Sequence, residues 1–106
     1  MKEITVTKLK EKLDAGEDVQ LIDVRNPDEV AIANLEGSKL IPMGEIMERK
    51  DEVEANRYTV VFCRSGVRSA RVIEFLEHSG HEGELANLAG GILAWSDQID
   101  PSIPKY

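Results

Sequence analysis

The sequence is poor in cysteine, in long apolar runs and in basic residues, and each shortage excludes a class of protein. Its 106 residues include one cysteine, so no internal disulfide can form, which is typical of a reducing compartment. No apolar stretch approaches the roughly 20 residues of a membrane span. Residues 1–6 lack the apolar segment of a signal peptide. We therefore expect a cytoplasmic protein with no membrane partner.

The charge is strongly acidic, and its distribution is uneven. A formal net charge of -7 argues against nucleic acid as a partner. Between Cys63 and Arg71, however, there are three arginines and no carboxylate. A small basic patch around the only thiol indicates an anion site. The alternative is that these arginines are solvated residues in the first turns of a helix, although cations there oppose the helix dipole.

Residues 1–106 are expected to form a single domain, in which apolar runs alternate with helical patterns. Strands are predicted over residues 19–24, 39–41, 58–62 and 84–88. Helices are predicted over 8–13 after a Thr7 cap, over 28–32 after Asn26-Pro27, over 44–53, from Val67 to a stop at Gly80, and over 92–95. This alternation predicts an α/β fold, with a mostly parallel sheet and helices on both faces.

Cys63 follows the apolar strand 58–62 and precedes the helix that begins near Val67. Ligands of such folds bind beyond the carboxyl ends of strands, and Asp23 and Arg25 lie at the end of a second predicted strand, at the same rim. Buried cysteines are usually inert. Here, however, a helix N-terminus and nearby arginines would lower the thiol pKa and favour the nucleophilic thiolate.

The residues after Cys63 can form an anion cradle. Gly66 can adopt the positive φ of a tight turn whose amides face inward. Arg68 can close the cradle or bind substrate oxygens, and Ser65 and Ser69 add hydroxyl donors. Four residues separate Cys63 from Arg68, whereas cysteine-dependent phosphatases have a loop one residue longer. The shorter loop favours one added sulfur atom over a phosphate.

Four motifs carry a family resemblance: 21–25 with Pro27 and Glu29, Ile41-Pro42, 61–70 and 88–95. In this order the chain resembles the rhodanese (thiosulfate sulfurtransferase) domain family over almost its whole length. The resemblance implies a five-stranded parallel α/β domain. It also implies a cysteine that becomes a persulfide and passes its sulfur to cyanide, a thiol or a protein.

Carried over to this chain, the resemblance implies that Cys63 is the nucleophile, with no metal and no cofactor. The implied substrate-binding residues are those of the active-site loop, Arg64, Ser65, Gly66, Val67, Arg68 and Ser69. Asp23 and Arg25 are expected to support the site, Asp23 by accepting hydrogen bonds from amides and Arg25 by pairing with a carboxylate. The expected donor is thiosulfate or a persulfide protein, and the acceptor must be another molecule because no second cysteine is present.

Segments 30–38 and 99–106 are similar to the rhodanese domain at the C-terminus of enzymes that activate ubiquitin-like sulfur carriers. A sulfur-carrier protein is therefore a candidate acceptor, and the chain is either free-standing or part of a larger protein.

Two alternative functions stay open. One is a non-catalytic interaction module of the same fold, and the other is a small cysteine phosphatase or arsenate reductase, which the loop length disfavours. His78 and His81 are predicted to face solvent at a helix end, Gly90-Gly91 to form a turn, and Trp95 to lie in the core.

Overall fold

The structure, a computed structural model, describes residues 1–106. Five strands form one sheet in the order β1-β5-β4-β2-β3, and every pairing is parallel. The strands are β1 Glu3–Ile4, β2 Val19–Asp23, β3 Lys39–Leu40, β4 Tyr58–Phe62 and β5 Leu85–Leu88. The predicted α/β class with a five-stranded sheet is confirmed. The carboxyl ends of the central strand β4 and of its neighbours β2 and β5 therefore meet at one rim.

Helices cover both faces of the sheet. They are α1 Val6–Asp14, α2 Pro27–Ile32, α3 Ile46–Arg49, α4 Val67–His78 and α5 Gly91–Gln98. Because side chains alternate along a strand, Val60 and Val61 of β4 lie on opposite faces. Val60 packs in an apolar cluster with residues of α1 and α5, including Trp95. Val61 packs with residues of α3 and α4, including Ile73.

Two helix predictions were wrong in detail. The cap of α1 is Thr5, not Thr7, because the Thr5 side chain accepts a hydrogen bond from the Lys8 amide at 3.2 Å. Residues 44–53 do not form one helix. The short helix α3 lies between two 3-10 turns, Met43–Glu45 and Lys50–Glu52, which agrees with the weak apolar periodicity of this segment.

Helix α2 begins where the sequence predicts. Asn26 is its N-cap and Pro27 its first residue. The Glu29 carboxylate accepts a hydrogen bond from the Asn26 amide at 3.0 Å, which completes a capping box. Every helix of the protein is too short or too polar to traverse a lipid bilayer.

Candidate active site

Cys63 follows β4 directly, and its sulfur lies beneath the turn that leads into α4. Its Sγ accepts a hydrogen bond from the Gly66 amide at 3.1 Å and lies 3.4 Å from Ser69 Oγ. The turn requires glycine because Gly66 has a φ of 113°, which side-chain-bearing residues rarely adopt. The Cys63 side chain is buried, with 1% of its surface exposed.

Two opposing influences act on the Cys63 thiol. Burial raises its pKa, because the charged thiolate is poorly solvated inside the protein. Hydrogen bonds from the Ser69 hydroxyl and from the amides of Ser69, Gly66 and Ser65 favour the thiolate. The hydrogen bonds outweigh burial, and the pKa of Cys63 lies below the ordinary thiol value. The loop is therefore suited to hold a negative sulfur.

The amino end of α5 holds the backbone of this loop. The Ile92 amide donates to the Cys63 carbonyl at 3.0 Å, and the Leu93 amide donates to the Arg64 carbonyl at 3.2 Å. Because the C=O and N–H of a trans peptide point in opposite directions, these contacts turn the next two amides of the loop away from α5. The approach is so close that a Cβ on Gly91 would overlap the Arg64 carbonyl.

A buried polar chain connects Cys63 to the neighbouring strand β5. The Ser69 hydroxyl donates to Asn87 Oδ1 at 2.6 Å, and Asn87 Nδ2 donates to the Gly66 carbonyl at 3.0 Å. Ser69 and Asn87 are 0% and 4% exposed, so their polar atoms depend on these partners rather than on water. The loop turn, α4 and β5 are thereby joined beside the sulfur.

Arg68 forms a bidentate ion pair with Glu29 of α2. Its Nη1 and Nη2 donate to the two carboxylate oxygens at 2.7 and 2.9 Å. The Arg68 guanidinium lowers the pKa of Glu29 to about 2, although partial burial acts in the opposite direction. Of the two roles considered for Arg68, this geometry matches closure of the loop, because its donors facing α2 are already occupied.

Asp23 and Arg25 form a second ion pair, which is fully enclosed. Arg25 Nη2 donates to Asp23 Oδ2 at 2.8 Å, and the Arg25 amide donates to Asp23 Oδ1 at 3.0 Å. The same guanidinium donates to the carbonyls of Glu29 at 3.4 Å and of Ala33 at 2.7 Å. Arg25 therefore fastens α2 to the end of β2, and α2 in turn supplies Glu29 to Arg68.

The family model described as the rhodanese-like domain matches residues 5–98. The chain belongs to the rhodanese-like domain family. It is 38% identical over 101 residues to YtwF, a sulfurtransferase-named protein of Bacillus subtilis, covering 95% of this chain and 96% of that protein. A crystal structure of a rhodanese-like domain protein from Staphylococcus aureus superposes with a TM-score of 0.84 at 39% identity, over 93% of this chain and 95% of that one.

The likeness to adenylating sulfurtransferases is also found. The chain is 36% identical over 105 residues to MoeZ of Mycobacterium tuberculosis, which is named as an adenylyltransferase/sulfurtransferase. That match covers 97% of this chain but 26% of MoeZ. This rhodanese-like domain therefore corresponds to about a quarter of that larger relative.

The predicted site residues of this rhodanese-like domain fall into three positions. Cys63, Gly66 and Ser69 lie together at the sulfur. Asp23 and Arg25 form the enclosed pair at the neighbouring strand end, and their hydrogen bonds connect them to Arg68 through α2 and Glu29. The side chains on the outer surface of the loop are exposed and are those of Arg64, Ser65 and Val67.

Three residues that build the site have no role that is predicted from the sequence: Glu29, Asn87 and Gly91. Asn87 did leave a signal, because it is the one polar residue of the otherwise apolar strand Leu85–Leu88. Gly91 was predicted only as part of a turn, whereas it also packs against the loop backbone. The prediction of a solvent-facing His81 was wrong, because this side chain is half-buried and its Nε2 is enclosed without a hydrogen-bond partner.

An open cavity of about 400 Å³ lies beside the loop. It is lined by Asn26, Asp28, Glu29, Arg64 and Tyr106. Arg64 places a cation at this cavity, and Asp28 and Glu29 of α2 add carboxylates to its lining. The lining is polar, which suits a charged ligand better than an apolar one.

Proposed function

We propose that this protein is a sulfurtransferase that carries a sulfane sulfur on Cys63. The sulfur comes from thiosulfate or a persulfide donor and passes to cyanide, a thiol or a sulfur-carrier protein. The observation that carries the proposal is the hydrogen bond from the Gly66 amide to Cys63 Sγ at 3.1 Å. This contact belongs to the set of donors that lowers the thiol pKa, and a thiolate is the form that attacks sulfur.

The reaction has two halves, each a displacement at sulfur. In the first, the Cys63 thiolate attacks the outer sulfur of thiosulfate. The sulfur–sulfur bond of thiosulfate breaks, and sulfite leaves with the bonding electron pair. In the second, a nucleophile of the acceptor attacks the outer sulfur of the persulfide, and Cys63 leaves as a thiolate. The loop amides stabilise the negative sulfur in both halves, which is covalent catalysis in a preorganised anion site.

The other site residues have distinct parts in this proposal. Arg64, exposed at the cavity beside the loop, binds the oxygens of the anionic donor. The amides of Ser65 and Gly66 hold the transferred sulfur, and Val67 and Arg68 begin the helix whose amino end faces it. Asp23 and Arg25 support the loop through α2. None of these steps requires a cofactor or a metal ion.

A sulfur-carrier protein is the acceptor we favour. The match to MoeZ, whose name joins an adenylyltransferase to a sulfurtransferase, covers nearly the whole of this chain. Such a combination is suited to a protein tail that is first adenylated and then given sulfur. In this proposal the extended tail binds in the cavity of about 400 Å³ next to Arg64.

The direct test is the intact mass of the protein after incubation with thiosulfate. We expect a gain of one sulfur atom, its removal by cyanide and the appearance of thiocyanate. Cys63→Ser is the matched control, since it exchanges one atom and should show neither the mass gain nor thiocyanate. Thiocyanate formation by Cys63→Ser at the wild-type rate would refute the mechanism.

The same protein preparation separates the alternatives. A non-catalytic interaction module would show no mass gain in the wild-type protein. A phosphatase would hydrolyse a phosphate monoester such as p-nitrophenyl phosphate at a rate comparable to sulfur transfer. We expect no such hydrolysis, because the loop between Cys63 and Arg68 is one residue shorter than in cysteine-dependent phosphatases.

A further inference from the structure

The Ser69 hydroxyl has one proton and two neighbours that can accept it. Asn87 Oδ1 lies 2.6 Å from Ser69 Oγ, and Cys63 Sγ lies 3.4 Å from the same oxygen. The orientation of the Asn87 amide is fixed, because its Nδ2 donates to the Gly66 carbonyl at 3.0 Å. Its Oδ1 can therefore only accept. At these distances the Ser69 O–H points to Asn87 Oδ1, and the Ser69 oxygen accepts from the Cys63 S–H.

A thiolate cannot keep this arrangement, because it has no proton to donate. The Ser69 O–H must then turn to the sulfur, and Asn87 Oδ1 loses its donor. We propose that Ser69 is a rotating hydrogen-bond donor to Cys63. Asn87 is the positioning residue, because its Oδ1 accepts the hydrogen bond from the Ser69 hydroxyl whenever the sulfur is uncharged. This inference rests on the proposed sulfur transfer and assigns a role in it to Asn87.

The two positions of the hydroxyl follow the charge of Cys63 through the reaction. In the persulfide, Cys63 Sγ is a neutral bridging atom, and the Ser69 hydroxyl donates its hydrogen bond to Asn87 Oδ1. When the acceptor attacks the outer sulfur, the bond between the two sulfurs breaks and its electron pair moves to Cys63 Sγ. The Ser69 O–H then rotates to this leaving thiolate. The O–H bond stays intact, so Ser69 transfers no proton and needs no base.

Charged groups on neighbouring elements also act on Cys63, and the test leaves them in place. Arg68 of α4 interacts electrostatically with both Cys63 and Asp23. The other charged side chains at these elements are Glu29 on α2, Asp23 and Arg25 at the end of β2, Arg64 in the loop, and Glu3, the β1 register partner of Asn87. Their influence is the same in all variants of Ser69 and Asn87 and cancels in a comparison among them.

The test is the pH profile of Cys63 alkylation by iodoacetamide in wild type, Asn87→Leu, Ser69→Ala and the double variant. Leu approximates the shape of Asn without its acceptor, so the Ser69 proton is free to serve the thiolate. We expect Asn87→Leu to increase the thiolate fraction about five-fold on the acidic side of the profile, as one neutral hydrogen bond would. Ser69→Ala should decrease it about ten-fold, and adding Asn87→Leu to Ser69→Ala should change nothing further.

A purely structural Asn87, which only supports the Gly66 carbonyl, predicts a different pattern. Its replacement would loosen the turn and decrease the thiolate fraction equally in the wild-type background and in the Ser69→Ala background. That pattern, or an unchanged profile in Asn87→Leu, would overturn the inference. If Asn87→Leu fails to fold, Asn87→Val, which suits a buried strand, undergoes the same comparison.

Alkylation requires no sulfur donor, so it separates this inference from the function on which it rests. If thiosulfate adds no sulfur to Cys63, the proposed function fails regardless of the alkylation profiles. If sulfur is added but the profiles follow the structural pattern, only the role of Asn87 fails. When sulfur is added to Cys63 and the alkylation profiles match the expected pattern, Ser69→Ala should slow the release of sulfur from the persulfide about ten-fold. The reason is that the leaving thiolate lacks its hydrogen-bond donor.

Discussion

Arg25 is the most deeply enclosed charge of the protein, with none of its surface exposed. Its guanidinium is matched by the Asp23 carboxylate and by carbonyls of α2. Enclosed pairs of this kind contribute little net stability compared with apolar residues, but removal of one partner leaves an uncompensated charge. At this position the pair serves geometry, because it sets the distance between β2 and the helix that carries Glu29.

Replacing Arg25 by Met should therefore destabilise the protein by about 3–5 kcal/mol, since Asp23 is left buried and unpaired. Urea denaturation followed by circular dichroism measures the change. Arg57→Met is the matched control, because Arg57 pairs with the exposed Asp18 and Glu54, and exposed ion pairs contribute little to stability. Equal losses of unfolding free energy in the two variants would show that burial of the Arg25–Asp23 pair does not determine the cost of removing the arginine.

Glu29 should make stability depend on pH. Its pKa is lowered from 4.5 to about 2 in the folded protein, so the folded state prefers the carboxylate more strongly than the unfolded chain does. The resulting stabilisation is complete above pH 4.5 and is lost as the pH falls toward 2. In Glu29→Gln this contribution is absent. The gap between wild type and variant in urea-unfolding free energy should narrow over this range, and a constant gap would contradict the ion pair.

The residues that sequence reasoning found and those that it missed differ in one respect. Cys63, Asp23 and Arg25 could be placed because each lies at or just beyond the end of a recognisable strand, and their residue types carry chemistry. Glu29 and Asn87 act through partners that are 39 and 18 residues distant along the chain. Only the folded arrangement of α2 and β5 around α4 brings those partners together.

At the scale of elements, α5 determines the shape of the loop that it does not belong to. Its first amides bind the carbonyls of Cys63 and Arg64, and this contact requires a residue without a side chain at Gly91. The Gly90-Gly91 pair thus combines a helix start with a close backbone contact.

Gly91→Ala should therefore reduce both stability and sulfur loading, because its Cβ overlaps backbone atoms of Arg64. Gly80→Ala is the matched control. Gly80 also has a positive φ, but no atom lies within 4 Å of its hypothetical Cβ, so only the conformational cost of about 1 kcal/mol applies. We expect Gly91→Ala to lose at least twice as much unfolding free energy as Gly80→Ala, measured by urea denaturation. It should also lose most of the mass gain from thiosulfate. Similar behaviour of the two variants would mean that α5 does not shape the loop.

Elements with strong local signals were predicted within a residue or two. These include β4, with its β-branched run, α2, with its Asn-Pro start, and α4, with its apolar periodicity and terminal Gly80. The strand β1 was missed, because two residues are too few to show a pattern and its pairing with β5 is formed only in the folded chain. Without β1, the beginning of α1 was also placed too late.

At the scale of the whole molecule, two apolar clusters lie on opposite faces of a single sheet. Alternating strands and helices predicted this layered arrangement. The strand order β1-β5-β4-β2-β3 is a property of the fold, because local patterns do not say which strands are neighbours. The central strand β4 contributes side chains to both clusters, so neither cluster can be lost without disturbing the other.

Unfolding should consequently be a single cooperative transition. Fluorescence of Trp95 reports on the cluster beneath α1 and α5, whereas far-UV circular dichroism reports on all helices. We expect the two probes to give coincident urea transitions. A fluorescence transition at lower urea concentration would show that the layer containing Trp95 opens separately from the rest of the protein.

The position of Cys63 has a practical consequence for watching this protein at work. It is the only thiol, and 1% of its surface is exposed. A bulky maleimide dye can react only when the turn above the sulfur opens, whereas a small mercurial requires a smaller opening. The ratio of the two labelling rates therefore reports how strongly access to Cys63 depends on opening of the turn in the unmodified chain.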